Sequence, residues 1–143
     1  MAEFKNPFME IDVQKMMGEF RIPNVDVEAV VAAQKKNIEA LTSANQLAVE
    51  GMQAVAKRQA EILRQTAEEL QKNMQSLMEN GAPDAKVAKS TELTKTAFEK
   101  AIANMKELSE MVSKSNAEAF DVINKRVAES LDEIRDLTKA TKK

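Results

Sequence analysis

The sequence has no cysteine and no histidine. The first absence removes disulfides and thiolate ligands, and the second removes the commonest metal ligand and the side chain best suited to general base work near neutral pH. Such a composition suits a reducing compartment, and a cytoplasmic protein is expected. Tryptophan and tyrosine are also missing, and aromatic residues reach only 3%, which excludes a thick aromatic core even though 43% of the residues are hydrophobic. Charge of one sign is lacking too: 21 basic residues stand against 23 acidic ones, for a net charge of −2. No overall field would hold the chain on phosphates, so nucleic acid is not expected as a partner. The longest continuous apolar run, Ala29 to Ala33, falls far short of the roughly 20 residues that a membrane span needs. Neither a transmembrane span nor a secretory signal over Met1 to Lys5 is expected.

Glycine and proline, three of each, punctuate the chain sparsely. Pro7, Gly18 and Pro23 set off an N-terminal segment, 1–25, rich in Met and Phe. Asn80, Gly81, Ala82, Pro83 and Asp84 form the one strong internal break, joining a glycine suited to a helix C-terminus to a proline that cannot continue that helix. A helical domain over 26–143 is expected, with a helix over about 26–79 capped by Asp26, a turn over 80–84, and a second helix over about 84–139. At 143 residues, one structural unit is the default.

Between the breaks the pattern is helical and two-sided. At 100° per residue, Val30, Leu41, Ala48, Met52, Val55, Ile62, Leu63, Leu70 and Leu77 gather on one stripe of the first helix, with Glu39, Glu50, Lys57, Glu61, Arg64 and Glu68 opposite. Val30, Leu41, Met52, Leu63 and Met74 recur every eleven residues, a period close to that of a straight α-helix. The second helix repeats the design with Val87, Phe98, Ile102, Met105, Val112, Phe120, Ile123, Val127, Ile134 and Leu137. Each helix would run on the order of 80 Å, a length usual in coiled coils and helical repeats. The expected fold is all-α: two long amphipathic helices, in a hairpin or an extended coiled-coil-like arrangement, with a short N-terminal amphipathic segment.

A single helix pair cannot bury both stripes well. They are read as an apolar-surface or oligomer stripe, completed by a homo-oligomer or by an external apolar phase. Polar residues interrupt them: Gln34, Asn45, Gln59 and Thr66 in the first, Thr94, Ser109, Asn116 and Ser130 in the second. Register control by buried polar groups and a stripe kept soluble while uncovered both fit these interruptions. Gly51, in mid-helix, costs roughly 1 kcal/mol relative to Ala; it is either tolerated there or marks close packing or a bend. Phe8, Met9, Met16, Met17 and Phe20 make the N-terminal segment a candidate anchor, since flexible Met side chains adapt to irregular apolar partners.

Chemistry has little to build on. Glu129, Asp132, Glu133 and Asp136 cluster, but Lys125, Arg126, Arg135 and Lys139 are interleaved with them, which reads as a solvated, ion-paired face. No Gly-rich phosphate loop exists. Catalytic residues, cofactors and a metal site are not expected.

The stretch Asn37 to Gln65, NIEALTSANQLAVEGMQAVAKRQAEILRQ, resembles the phasin family, with the likeness extending upstream through Arg21 to Asn37, RIPNVDVEAVVAAQKKN, and more loosely through the second helix. The resemblance implies a small helical, non-catalytic protein at the surface of polyhydroxyalkanoate, for example polyhydroxybutyrate, storage granules, limiting their coalescence and influencing their number and size. It also implies polymer synthase or depolymerase as candidate partners. Some phasins carry an extended Lys-, Ala- and Pro-rich tail associated with DNA binding; only Lys139, Lys142 and Lys143 stand in that place here, which speaks against a nucleoid-linking role. A reading of a different class is a coiled-coil adaptor or chaperone-like protein that binds other proteins.

Overall fold

Helix formation begins where a side chain can satisfy the first free backbone donors. Asp26 does so: its carboxylate accepts from the Ala29 amide at 3.2 Å, and its carbonyl accepts from the Val30 amide at 3.1 Å, the geometry of an N-cap. The computed structural model describes residues 26–79, 81–140 and 142. Helix α1 spans Val27–Met78 and helix α2 spans Pro83–Ala140; no strand occurs among the described residues. Both helices are long because Ala, Leu, Met, Glu, Gln and Lys dominate them, residues that lose little side-chain freedom in a helix. The N-terminal segment, 1–25, lies outside the described residues.

The break at the end of α1 is shorter than a turn over 80–84 would make it. Gly81 and Ala82 lie outside the helices, whereas Pro83 and Asp84 already belong to α2. Proline is well placed at the first helical position, where its missing amide would have had no intrahelical partner. The Ala82 carbonyl closes the first turn by accepting from the Lys86 amide at 3.1 Å, and Asp84 adds a negative charge to that turn.

The chain divides into two units, one formed by the segments up to Ser43 and from Asp121, the other by Ala44–Phe120. Within the second unit, α1 and α2 run antiparallel. Leu47 meets Ser115, Arg58 meets Glu107, Glu69 meets Lys100 and Ser76 meets Lys89, so numbers rise along one helix as they fall along the other. The first unit has the same sense: Ala33 and Asn37 of α1 meet Arg126 of α2, and Lys36 meets Glu133.

The seam along which the helices meet holds few of the large apolar residues and is lined largely by small and polar ones. On α1 it carries Ala33, Asn37 and Ala40 in the first unit, and Ala44, Leu47, Gly51, Val55 and Arg58 in the second, all at intervals of three or four and all at least half-buried. On α2 it carries Asn104, Leu108, Met111, Ser115 and Ala119, then Arg126, Ser130 and Glu133. Among the described residues only Ala44 and Arg126 are buried outright. Small side chains let the backbones approach. At Gly51 an added Cβ would lie 1.7 Å from the Ser115 hydroxyl oxygen and 2.4 Å from its Cβ. Gly51 therefore marks close packing.

Candidate functional site

The residues that the seam leaves over define the most distinctive surface of the chain. Leu41, Met52, Leu63, Leu70 and Met74 of α1 are all more than half exposed, as are Phe98, Met105, Phe120, Val127 and Ile134 of α2, with Ile102 at 49% and Val112 at 46%. Val30, Leu77 and Ile123 are half-buried at the margin of the seam, and Val55 lies within it. The structure adds Ile38, Val49, Met78 and Leu131 to the exposed set, and Val87 and Leu137 of the second stripe are exposed as well. Phe8, Met9, Met16, Met17 and Phe20, the candidate anchor, lie outside the described residues.

The placement follows from helix geometry. At about 100° per residue, the apolar stripe of each helix sits roughly a quarter turn ahead of its seam in the same rotational sense. Two helices that run antiparallel and face each other along their seams then point both stripes to one side. In the first unit this is visible directly, because Leu41 of α1 and Ile123, Val127 and Leu131 of α2 line one shallow groove. A neighbouring groove of about 620 Å³ in the same unit is lined by Val30 and Ala33 from α1 and Ile134 and Leu137 from α2. In the second unit the same geometry puts Met52 and Leu63 on one side with Met105 and Val112. Each unit thus carries an apolar side, formed by both helices and open to its surroundings.

Electrostatics hold the seam rather than the stripe. Arg58 donates to both carboxylate oxygens of Glu107, at 2.8 Å each, the two-pronged geometry that gives such pairs their directionality. The Arg58 guanidinium holds the Glu107 carboxyl below its ordinary range. In the first unit Arg126, 7% exposed, donates to Asn37 at 2.7 Å, to Glu133 at 2.8 and 3.2 Å and to the Ala33 carbonyl at 3.3 Å. Lys36 reaches Glu133 from the other helix at 2.7 Å. Hydrogen bonds from Arg126 and then Lys36 hold the Glu133 carboxyl down at about 2. Burying a charge is costly unless it is paired and hydrogen-bonded, and here every prong of the guanidinium is matched.

Two expectations change as a result. Arg126 and Glu133 are not part of a solvated face; they form a half-buried clasp between helices, invisible in the sequence because their partners Asn37 and Ala33 lie about 90 residues away. Of the polar residues that interrupt the stripes, only Ser130 enters the seam, toward Asn37 at 3.4 Å. Gln34, Asn45, Gln59, Thr66, Thr94, Ser109 and Asn116 are exposed, and the Thr66 and Thr94 hydroxyls donate to carbonyls of their own helix. Register is set instead by Arg58, Asn37 and Arg126. Outer-face ion pairs such as Lys106 with Glu110 and Lys114 with Glu118, both at 3.9 Å and well exposed, contribute little.

Among the described residues no group of acidic side chains is placed to hold a metal ion, and no helix is long and apolar enough to cross a membrane. Residues 28–127 match a family model whose description is phasin protein. No curated protein and no solved structure matches the chain.

Proposed function

The chain belongs to the phasin family, granule-associated structural proteins, and on that premise we propose that it coats polyhydroxyalkanoate granules, polyhydroxybutyrate among them, in the cytoplasm. The observation that supports this reading is the apolar side of each unit, where Leu41, Met52, Leu63, Phe98, Met105 and Phe120 stand exposed at between 59% and 70%. Covering such side chains is worth roughly 25 cal/mol per Å² of apolar area removed from water, an upper value before ordering costs. A helix pair resting on a polymer surface by that side keeps its charged outer faces in water. Coated particles then repel or at least fail to fuse, which limits coalescence and sets granule size, number and dispersion.

In solution the same side is covered by further copies of the chain, so that a homo-oligomer exchanges self-contacts for polymer. Synthase or depolymerase would meet the charged outer faces, which adsorption leaves accessible. Co-sedimentation with polyhydroxybutyrate nanoparticles, with light scattering on the same sample, tests the reading. Saturable binding with loss of the soluble oligomer is the expected result. An oligomer of constant mass that ignores the particles would instead make this a coiled-coil adaptor or chaperone-like protein whose partners are proteins.

A further inference from the structure

We infer that adsorption leaves the helix pairs shut: in each unit α1 and α2 stay joined along their seam and settle on the polymer together, side by side, through the face that both stripes share. This rests on the granule-coat reading and specifies how it is carried out. An amphipathic helical pair can meet an apolar phase in two ways. It can unzip and expose a hidden apolar interior, or it can use an apolar side already outside.

Unzipping has little to offer here. Beside Leu47, Val55, Leu108 and Met111 the seam is lined by Ala33, Ala40, Ala44, Gly51, Ser115 and Ala119, so opening it would offer a surface fewer large apolar side chains than already stand outside it. It also contains the charged clasps. Separating the helices would break both prongs of Arg58 to Glu107 at 2.8 Å. It would also strip Arg126 of Asn37 and the Ala33 carbonyl, and Glu133 of Lys36. These groups lie only about a quarter turn from the stripes, so an unzipped helix lying on polymer would bring an unpaired Arg58 or Arg126 close to the apolar phase, where desolvation of a charge is most costly. The large side chains, by contrast, need no rearrangement. Leu41 already lines one groove with Val127 and Leu131 of the other helix, so that the closed pair offers two rows of anchors where a separated helix offers one.

The absence of cysteine makes a distance measurement direct. The Lys57→Cys, Lys106→Cys chain, labelled with nitroxides on two exposed outer positions of the second unit and diluted with an excess of unlabelled chain so that only distances within one chain are read, is measured by pulsed electron spin resonance free and on polyhydroxybutyrate particles. The expected result is the same distance distribution in both. A distribution that lengthens and broadens on the particles overturns the inference while leaving the coat reading in place. In the unmodified chain, carbodiimide forms an amide between a lysine amine and a carboxylate with loss of water, and the Lys100–Glu69 and Lys36–Glu133 pairs, in contact across the seam, are the substrates. Particle-bound protein should yield both cross-linked peptides by mass spectrometry at the level of the free protein; their loss on binding would also overturn the inference. Failure of the unmodified chain to bind particles at all would instead remove the coat reading, and this inference with it.

Discussion

Glu133 accepts hydrogen bonds from two cations on different helices, Lys36 of α1 and Arg126 of α2, and its ionised form, with both oxygens charged acceptors, suits that arrangement far better than the protonated acid. Its carboxyl is held at about 2, well below the ordinary 4.5, chiefly by the Arg126 hydrogen bonds. A depressed carboxyl contributes stability that is fully present above its unfolded value and is lost as pH falls through its folded value. The window is therefore about pH 4.5 down to about pH 2. Glu107, held down by Arg58, acts in the same direction. Melting followed by circular dichroism should show Tm falling across that window, and Glu133→Gln should lower Tm at neutral pH while flattening part of the acid decline. Parallel acid declines in the two proteins would mean that the clasp is not a source of the pH dependence.

Between elements, the decisive residue is one with no side chain. A glycine in an open helix would be improved by alanine by roughly 1 kcal/mol. At Gly51 the new methyl would meet the Cβ of Ser115 at 2.4 Å, a clash that no rotation of the serine hydroxyl relieves, so the helices must part. Overpacking of this kind costs about 1–3 kcal/mol, and Gly51→Ala should be net destabilising in urea unfolding. Adding Ser115→Gly should recover part of the loss, making the pair non-additive as expected for residues in contact. A stabilised Gly51→Ala protein would show that the helices are not in contact there. The same element explains what was legible in advance. The two helices could be read because from Asp26 onward the only glycines and prolines are Gly51, Gly81 and Pro83, of which only the last two fall together, and because Leu41, Met52 and Leu63 recur at helical spacing. The seam could not be read from a hydrophobic projection, which favours large apolar side chains and passes over Ala33, Ala40, Ala44 and Gly51. A count of small residues at intervals of three and four would have found it. The clasps escaped for a different reason: Arg126 and Glu133 look like surface charges until the distant Asn37 and Lys36 are brought beside them.

For the molecule as a whole, two tasks usually assigned to one apolar stripe are separated here. Small and polar residues, with Leu47, Val55, Leu108 and Met111 among them, join the helices, and most large apolar residues remain outside, so surface binding and folding should respond to different substitutions. Replacing Leu41, Met52 and Leu63 together by Glu tests that separation. These side chains are 59%, 70% and 67% exposed in the single chain, so the change removes little area buried within the helix pair: the oligomer should dissociate to single chains by light scattering, while helicity by circular dichroism should be unaltered. Adsorption should respond very differently. Three apolar anchors, each worth about 1.5–3 kcal/mol when fully covered, would become carboxylates that must be desolvated or protonated to touch the polymer, so co-sedimentation with polyhydroxybutyrate particles should be abolished. A triple variant that is folded and still binds as well as the parent would move the anchoring role away from α1, toward Phe98, Met105 and Phe120 of α2 or to Phe8, Met9, Met16, Met17 and Phe20. A triple variant that unfolds would contradict the separation itself, because it would mean that the stripe carries the fold as well.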